Sequence, residues 1–353
     1  MAVDRSAHIQ NPSPPPDKNP MSIRVAVDAM GGDHAPEVVV RGALSTLSEN
    51  EDIQVILFGP ESTISPYLNE MAEPGAPRPA VFDAPDVITM SDSPSTALKT
   101  KKDSSIHRGL VACSEGFADA FISAGNTGAV MAAALIILGR QAGVKRPSLI
   151  GYFPTIKGHC ILLDVGANVD CKPTHLLQFA HMGAVYAERV MHRRQPTVAL
   201  LNIGEEPGKG NDQAKAAHKL LGKAPNLNFV GNIEGRDMLM HAADVVVSDG
   251  FVGNILLKFG ESVASILPQM VGAEMQKLKM DEKDQGTVGR ALKGVRARFD
   301  YQEYGGAPLL GVNGNVIIGH GGSNERAIEN MIKNAAEMVR EDVSASISAA
   351  LAG

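Results

Sequence analysis

Five short stretches of this chain place glycine beside Asp, Asn, Glu or Ser directly after an apolar run. They are "DAMGGDH" from Asp28, "SAGNTG" from Ser123, "DVGANVD" from Asp164, "NIGEEPGKGND" from Asn202 and "SDGFVGN" from Ser248. Glycine lets backbone N–H groups approach a ligand closely, and a helix starting just afterwards offers unpaired N–H groups and a partial positive charge. That combination suits phosphate or another oxyanion. Each stretch alone has a plainer account, since Asp, Asn and Thr cap helices and glycine closes tight turns. Five together favour a site. A sixth stretch, "STALKTKKDSSIHRG", sets Lys99, Lys101 and Lys102 within four residues, followed by Ser104, Ser105, His107 and Arg108. It is either a solvated helix face or a group of cations and hydroxyls for phosphate oxygens.

Better-known motifs are missing. "GEEPGKGN" is one residue short of a Walker loop and lacks Ser or Thr after Lys209. No GxGxxG follows the first strand, and there is no HExxH and no GxSxG. Asp33 beside His34 could ligate a metal, but no second ligand pair accompanies it, so neither a metal nor another cofactor is expected.

The elements that must position these residues alternate in type. Apolar runs "IRVAVDA", "IQVILFG", "ADAFISAG", "HCILLDVG", "TVALLNIG" and "ADVVVSDG" read as strands, most of them followed by helical patterns such as "TGAVMAAALIILGRQ" and "PTHLLQFAHMGAVYAERVM". The runs are continuously apolar, as in a sheet covered on both faces. The expected fold is therefore α/β, with a doubly wound, mostly parallel sheet. In such a sheet the carboxyl ends of the strands share one edge, so the five loops are expected to converge there. Asn126 with Thr127, and Asn254, are expected to open helices.

From Asn254 to about Asp300 the pattern changes. Leu256, Phe259, Val263, Ile266, Leu267, Met270 and Val271 follow three-four spacing, an amphipathic helix expected to be interrupted at Pro268. Residues 274–298 carry seven Lys or Arg against four Asp or Glu, a basic stretch in an acidic protein. Ala327 to Leu351 reads as one closing helix, and "AVMAAALIILG" from Ala129 as a buried one. No run of about 18 apolar residues occurs, so no membrane-crossing helix is expected.

With 353 residues, 44% hydrophobic and 20% charged, the composition is that of a soluble globular protein. The formal net charge of −6 argues against nucleic acid as a partner. Cys113, Cys160 and Cys171 are odd in number with no CxxC spacing, which fits a reducing cytoplasm better than a disulfide scaffold or zinc knuckle. Residues 1–20 hold five prolines and read as a disordered extension, with Met21 as an alternative start. Residues 21–353 read as a single catalytic domain.

Together these residues resemble the phosphate acyltransferase family of bacterial phospholipid synthesis (acyl-[acyl carrier protein]:phosphate acyltransferase). The likeness rests on "AVDAMGGDHAPE", "STALKTKKDSSIHRG", "SAGNTGAVMAAA", "LLDVGANVDCKP", "NIGEEPGKGN", "GNIEGRD", "VVVSDGFVGNILLK" and "YGGAPLLGVNG", in order from about Ile23 to Asn330. It implies transfer of an acyl chain from acyl carrier protein to inorganic phosphate, giving acyl phosphate. It further implies a fold similar to phosphotransacetylases and isocitrate-dehydrogenase-like enzymes, a homodimer, and a cytoplasmic protein associated peripherally with the inner face of the membrane. A membrane acyltransferase is a candidate partner.

That chemistry assigns roles. Gly31, Gly32, Gly125, Asn126 and Thr127 are expected to shape the anion pocket, with Lys99 and Lys102 supplying charge. His34 either hydrogen-bonds or protonates the leaving thiolate, or is a structural histidine. Asp28, Asp33, Asp164 and Asp249 are expected to orient cations and loop N–H groups, since like charges repel phosphate. Lys209, Asn168 and Asn254 are further candidate contacts. Lys277, Lys279, Arg290, Lys293, Arg296 and Arg298 suit an acidic carrier protein or an anionic membrane. Phosphate is already anionic and thiolate is a fair leaving group, so direct attack without an acyl-enzyme is expected. The competing readings are a phosphotransacetylase-like enzyme using acyl-CoA, an NAD-linked dehydrogenase, and a non-catalytic scaffold of lipid synthesis.

Overall fold

A computed structural model describes residues 22–352; the Pro-rich extension and Met21 lie outside the described residues. Eleven strands form one sheet. In chain order they begin with β1 (Ile23–Asp28), β2 (Ile53–Gly59), β3 (Ala80–Asp83) and β4 (Ala120–Ser123). β5 (Ser148–Thr155), β6 (Gly158–Leu163), β7 (Thr197–Leu201) and β8 (Asn228–Ile233) follow. The last are β9 (Val245–Val247), β10 (Ala307–Leu310) and β11 (Asn315–Ile318). The helices are α1 (Glu37–Glu49), α2 (Glu61–Met71), α3 (Pro94–Thr100), α4 (Ser105–Ser114), α5 (Thr127–Ile137) and α6 (Pro173–Arg189). After them come α7 (Asp212–Leu221), α8 (Gly250–Lys277), α9 (Glu282–Arg298), α10 (Glu325–Arg340) and α11 (Val343–Ala352).

All six expected strands form. Five more were not anticipated: β3, β5, β8, β10 and β11 are short or interrupted by Gly and Pro, as in "SLIGYFPT" and "NFVGNI". Both faces of the sheet are covered. Helices α1, α6, α7, α10 and α11 bury one apolar layer around Val27, Leu57, Phe179 and Ile332. Helices α3, α4 and α5 bury the other around Phe58, Leu110, Phe121 and Val130.

The strand order is β3-β2-β1-β4-β11-β10-β5-β6-β9-β7-β8. Pairing is parallel among β3, β2, β1, β4 and β11, and again among β6, β9, β7 and β8. Between these blocks, β11–β10, β10–β5 and β5–β6 are antiparallel. Three reversals turn the second block upside down relative to the first. The expected single convergent edge is therefore corrected to two: carboxyl ends of β1 and β4 lie on an upper edge, those of β6, β7 and β9 on the lower. The β5–β6 hairpin is what inverts the polarity, and β5 is among the strands that sequence reading missed.

The helical regions also depart from expectation. α8 runs unbroken through Pro268 to Lys277; proline removes one donor, but its fixed φ is helical, so a mostly exposed helix keeps its course. By length and composition α8 is long and apolar enough to cross a membrane, against the expectation that none is. Asp249 caps it by accepting from the Val252 N–H at 2.8 Å, so Asn254 lies one turn inside and does not open it. The closing segment is two helices, separated where Asp342 adopts a positive φ of 46°. The lysine-rich stretch is likewise split, into α3 and α4. On α5 only one face is buried: Leu135 and Ile136 are 38% and 63% exposed.

Candidate functional site

On the upper edge, Asp28 ends β1 and is 2% exposed. Its carboxylate accepts from the Ser123 hydroxyl at 2.6 Å and the Met30 N–H at 3.1 Å, while Ser123 Oγ accepts from the Gly125 N–H at 3.0 Å. Asp28 thus joins the loop after β1 to the loop after β4. Burial raises its pKa, against hydrogen bonds from Ser105, Ser123 and the Met30 and Gly31 backbone that favour ionisation. Gly31 is required by this closeness, since a Cβ there would stand 2.5 Å from Asp28 Oδ2 and 2.7 Å from Gly125 N. Gly32 follows, half-buried. Asp33 is exposed, and its N–H donates to Gly321 O at 2.7 Å, tying in the loop after β11.

Asn126 caps α5, accepting from the Ala129 N–H at 3.1 Å, and its Nδ2 donates to Asp92 O at 3.0 Å. Both ends of this amide are committed to structure. The N–H groups of Thr127 and Gly128, by contrast, have no acceptor among the described residues. The 89–92 loop is further held by Lys101, which pairs with Asp92 at 2.6 Å and donates to Val87 O at 2.7 Å. That bond, with Thr89 N–H and hydroxyl donors, lowers the Asp92 pKa to about 2. Lys99 and Lys102 are exposed and make no ion pair among the described residues.

These loops open into a cavity of about 440 Å³. Asp33, Met90, Thr127 and Gly319–Gly321 form its mouth. Its walls are Leu149, Gly151 and Phe153 of β5, Val165, Ala307, Ile318 and the Leu257 face of α8. His320 lines the mouth, and its Nδ1 accepts from the Gly322 N–H at 3.2 Å, so the neutral ring carries its proton on Nε2. His34 is exposed and does not line the cavity. Sequence reading missed His320; "NVIIGHGGSNE" has the same apolar-run-then-glycine signature as the five stretches that were singled out.

The lower edge repeats the hub with different consequences. Asp164, fully buried, accepts from the Leu149 N–H at 2.9 Å and, on its other oxygen, from the Asn168 N–H and Nδ2 at 2.5 and 3.0 Å. Burial again raises the pKa against these bonds. Asn168 Nδ2 also donates to Pro147 O, and Asn254 Nδ2 to Val165 O at 3.0 Å. Gly250 packs so tightly that a Cβ would meet Asp164 Oδ2 at 2.7 Å. Lys209 is exposed and 4.0 Å from Glu206, away from the cavity lining. Asp249 is spent on its cap. Of the lower-edge candidates, only Asn254 borders the cavity.

Lys277, Lys279, Arg290, Lys293, Arg296 and Arg298 are exposed on the α8–α9 hairpin, where α9 buries no residue. No group of three or more His, Cys, Asp or Glu suited to a metal occurs among the described residues. All three cysteines are free, with thiol pKa values pushed up by burial, Cys160 and Cys171 to about 12, so none supplies a thiolate at neutral pH.

The family model described as "Fatty acid synthesis protein" matches residues 23–346. The chain is 53% identical over 328 residues to phosphate acyltransferase of Salinibacter ruber, covering 93% of this chain and 97% of that protein. It is 48% identical over 331 residues to phosphate acyltransferase of Heliobacterium modesticaldum, covering 94% and 98%. The chain belongs to the phosphate acyltransferase family. Among solved structures, a phosphotransacetylase from Streptococcus pyogenes superposes with a TM-score of 0.61 at 17% identity, over 90% of this chain and 94% of that one. The EutD phosphotransacetylase from Staphylococcus aureus gives 0.59 at 16%, with the same coverage. At these identities the likeness establishes the fold, which agrees with the doubly wound α/β expectation.

Proposed function

We propose that this member of the family transfers a fatty acyl group from the thioester of acyl carrier protein to inorganic phosphate, forming acyl phosphate for phospholipid synthesis. One observation carries the reading: the unengaged N–H groups of Thr127 and Gly128, at the start of α5, share a mouth with His320 and open onto an apolar cavity. A helix N-terminus binds an oxyanion, and the apolar walls accept what the oxyanion attacks. Phosphate held there by the α5 N–H groups and the Gly31–Gly32 turn directs an oxygen at the thioester carbonyl carbon. The C–O bond forms, the oxyanion is stabilised by N–H donors, and the C–S bond breaks. His320 Nε2–H donates a hydrogen bond to the departing thiolate and stabilises its developing charge. No protein nucleophile is needed.

The remaining partners follow from surface chemistry. The outward stripe of α8, Ile255, Phe259, Ile266 and Met270, is exposed and suits a second copy of the chain. The basic side chains of α9, with Leu278 73% exposed at the turn, suit an anionic membrane surface and peripheral attachment on the cytoplasmic side. A membrane acyltransferase that consumes acyl phosphate would meet the protein there. Light scattering tests the dimer, and sedimentation with anionic vesicles tests the attachment.

The decisive assay is release of free thiol from long-chain acyl carrier protein with and without phosphate. Phosphate-dependent release with an equal yield of acyl phosphate supports the reading. Release that ignores phosphate indicates a thioesterase. Equal turnover of acyl-CoA, with no preference for the carrier, indicates the phosphotransacetylase-like alternative.

A further inference from the structure

We propose that the donor's acyl chain lies in a groove between α5 and α8, its carbonyl at Thr127 and His320 and its methyl end reaching Leu309 and Leu135. This rests on the acyl-transfer reading and deepens it by naming residues that sense chain length.

The groove is longer than the cavity at its mouth. A second hollow of about 450 Å³ is lined by Met131, Leu135, Pro147, Ala167, Asn168 and Leu309, with Arg140, Lys145 and Arg146 at its exposed rim. Four elements that line the first cavity also lead to the second, each stepping in the same direction. On α5, Thr127 is followed one and two turns on by Met131 and Leu135. On β5 the step is from Leu149 back to Pro147, just before the strand. On β10 it is from Ala307 to Leu309, and in the loop after β6 from Val165 to Ala167. β10 and β5 are antiparallel, so these two steps point the same way along the sheet. The hollows are thus upper and lower parts of one trough on this face of the sheet.

An apolar occupant suits the inner walls of this trough, where the buried polar groups are paired and the cations Arg140, Lys145 and Arg146 stand at the exposed rim. Lys258 and Glu261 bond each other at 2.8 Å, and the Asn254 amide is spent on Val165 O. No unpartnered buried polar side-chain atom among the described residues belongs to either lining. A hydrocarbon along the inner walls strands no charge, because the cations stay at the exposed rim and keep their contact with water. At the mouth the situation reverses, with free N–H groups where the carbonyl and phosphate meet. A short chain fills only the upper hollow, and a long one continues past Met131.

The test compares carrier protein loaded with chains of about 8 and about 16 carbons, because each methylene denied its place costs about fourfold in kcat/KM. Leu135→Asp, at a surface position that folding tolerates, is expected to lower the long-to-short ratio of kcat/KM at least about tenfold. Leu135→Ser is expected to lower it less. Ile136→Asp, on the same helix but outside the lining, is expected to leave the ratio unchanged. A wild-type ratio in folded Leu135→Asp and Leu135→Ser overturns the assignment. So does an equal fall for both chains accompanied by dissociation in light scattering, which makes the lower hollow a contact between copies. If the wild-type protein shows no phosphate-dependent release at all, the acyl-transfer reading fails instead.

Discussion

The two edges of the sheet carry nearly the same sequence signature and put it to different uses. On each, an aspartate just at the end of a strand is buried and gathers donors from glycine-rich loops, Asp28 above and Asp164 below. On each, a helix starts with a capped N-terminus, Asn126 for α5 and Asp249 for α8. Beside Asp164 the donors are taken up: Asn168, Asn254 and the Gly250 N–H spend their hydrogen bonds within the protein. Among the described residues the upper edge leaves the Thr127 and Gly128 N–H groups without acceptors, beside an open cavity. Aspartate with glycine after a strand therefore marks a structural hub. What marks a site is the donors the hub leaves unspent.

The largest expected effects would come from removing the hubs. Asp28→Ala and Asp164→Ala each strand several buried donors and should each cost about 3–4 kcal/mol of stability, read by denaturant unfolding. Their catalytic consequences should differ. With folded protein at low temperature, Asp28→Ala should lose roughly a hundredfold or more in kcat/KM because the anion loops lose their register. Asp164→Ala should keep activity within about fivefold of wild type. Equal catalytic losses would break the contrast between the edges. The pH dependence sharpens it. Both carboxyls have raised folded pKa values, so their contribution is greatest below the ordinary 3.8 and declines as pH rises through the folded value. The stability gap between wild type and Asp164→Asn should accordingly narrow as pH rises from the ordinary 3.8 through the raised folded value.

Next in size is the choice between two histidines. His320→Ala should lower kcat about a hundredfold, with little change in KM, because a hydrogen bond to the leaving thiolate strengthens only as charge develops in the transition state. His34→Ala should stay within about threefold, since that ring stands outside the cavity. The reverse order would return His34 to the role the sequence suggested.

Much of this was legible beforehand, and the failures have a common physical cause. Long apolar runs announced six strands, and the capped helix start at Asn126–Thr127 was read correctly. Short strands such as β5 and β10 carry glycine and proline and lack the periodicity that betrays longer ones. Missing β5 hid the polarity reversal, and with it the separation of Asp164, Asn168 and Lys209 from Thr127. Lysine identity misled in the same way. Three lysines in four residues look interchangeable in sequence, yet only Lys101 reaches Asp92. Proline at 268 was over-read, because in an exposed helix one lost donor can be replaced by water.

The smallest effect concerns Lys101. Lys101 holds the 89–92 loop, and so the Met90 lip of the cavity, through Asp92. Because Asp92 has its pKa lowered to about 2, the stabilisation it supplies is complete above the ordinary 3.8 and lost only as pH falls through about 2. The tie should hold across the physiological range, and no pH optimum near neutrality should be traceable to it. Asp92→Asn weakens the tie without stranding a buried group, so thermal stability should move by less than about 2 °C. Catalysis should fall by about five- to tenfold, with KM for the acyl donor rising as the lip loosens. On the lower edge, Lys209→Ala, which breaks only a long surface pair with Glu206, should change neither quantity by more than about twofold. If Lys209→Ala costs more than Asp92→Asn, the lower edge takes part in binding, and a second copy of the chain would have to bring it to the upper one.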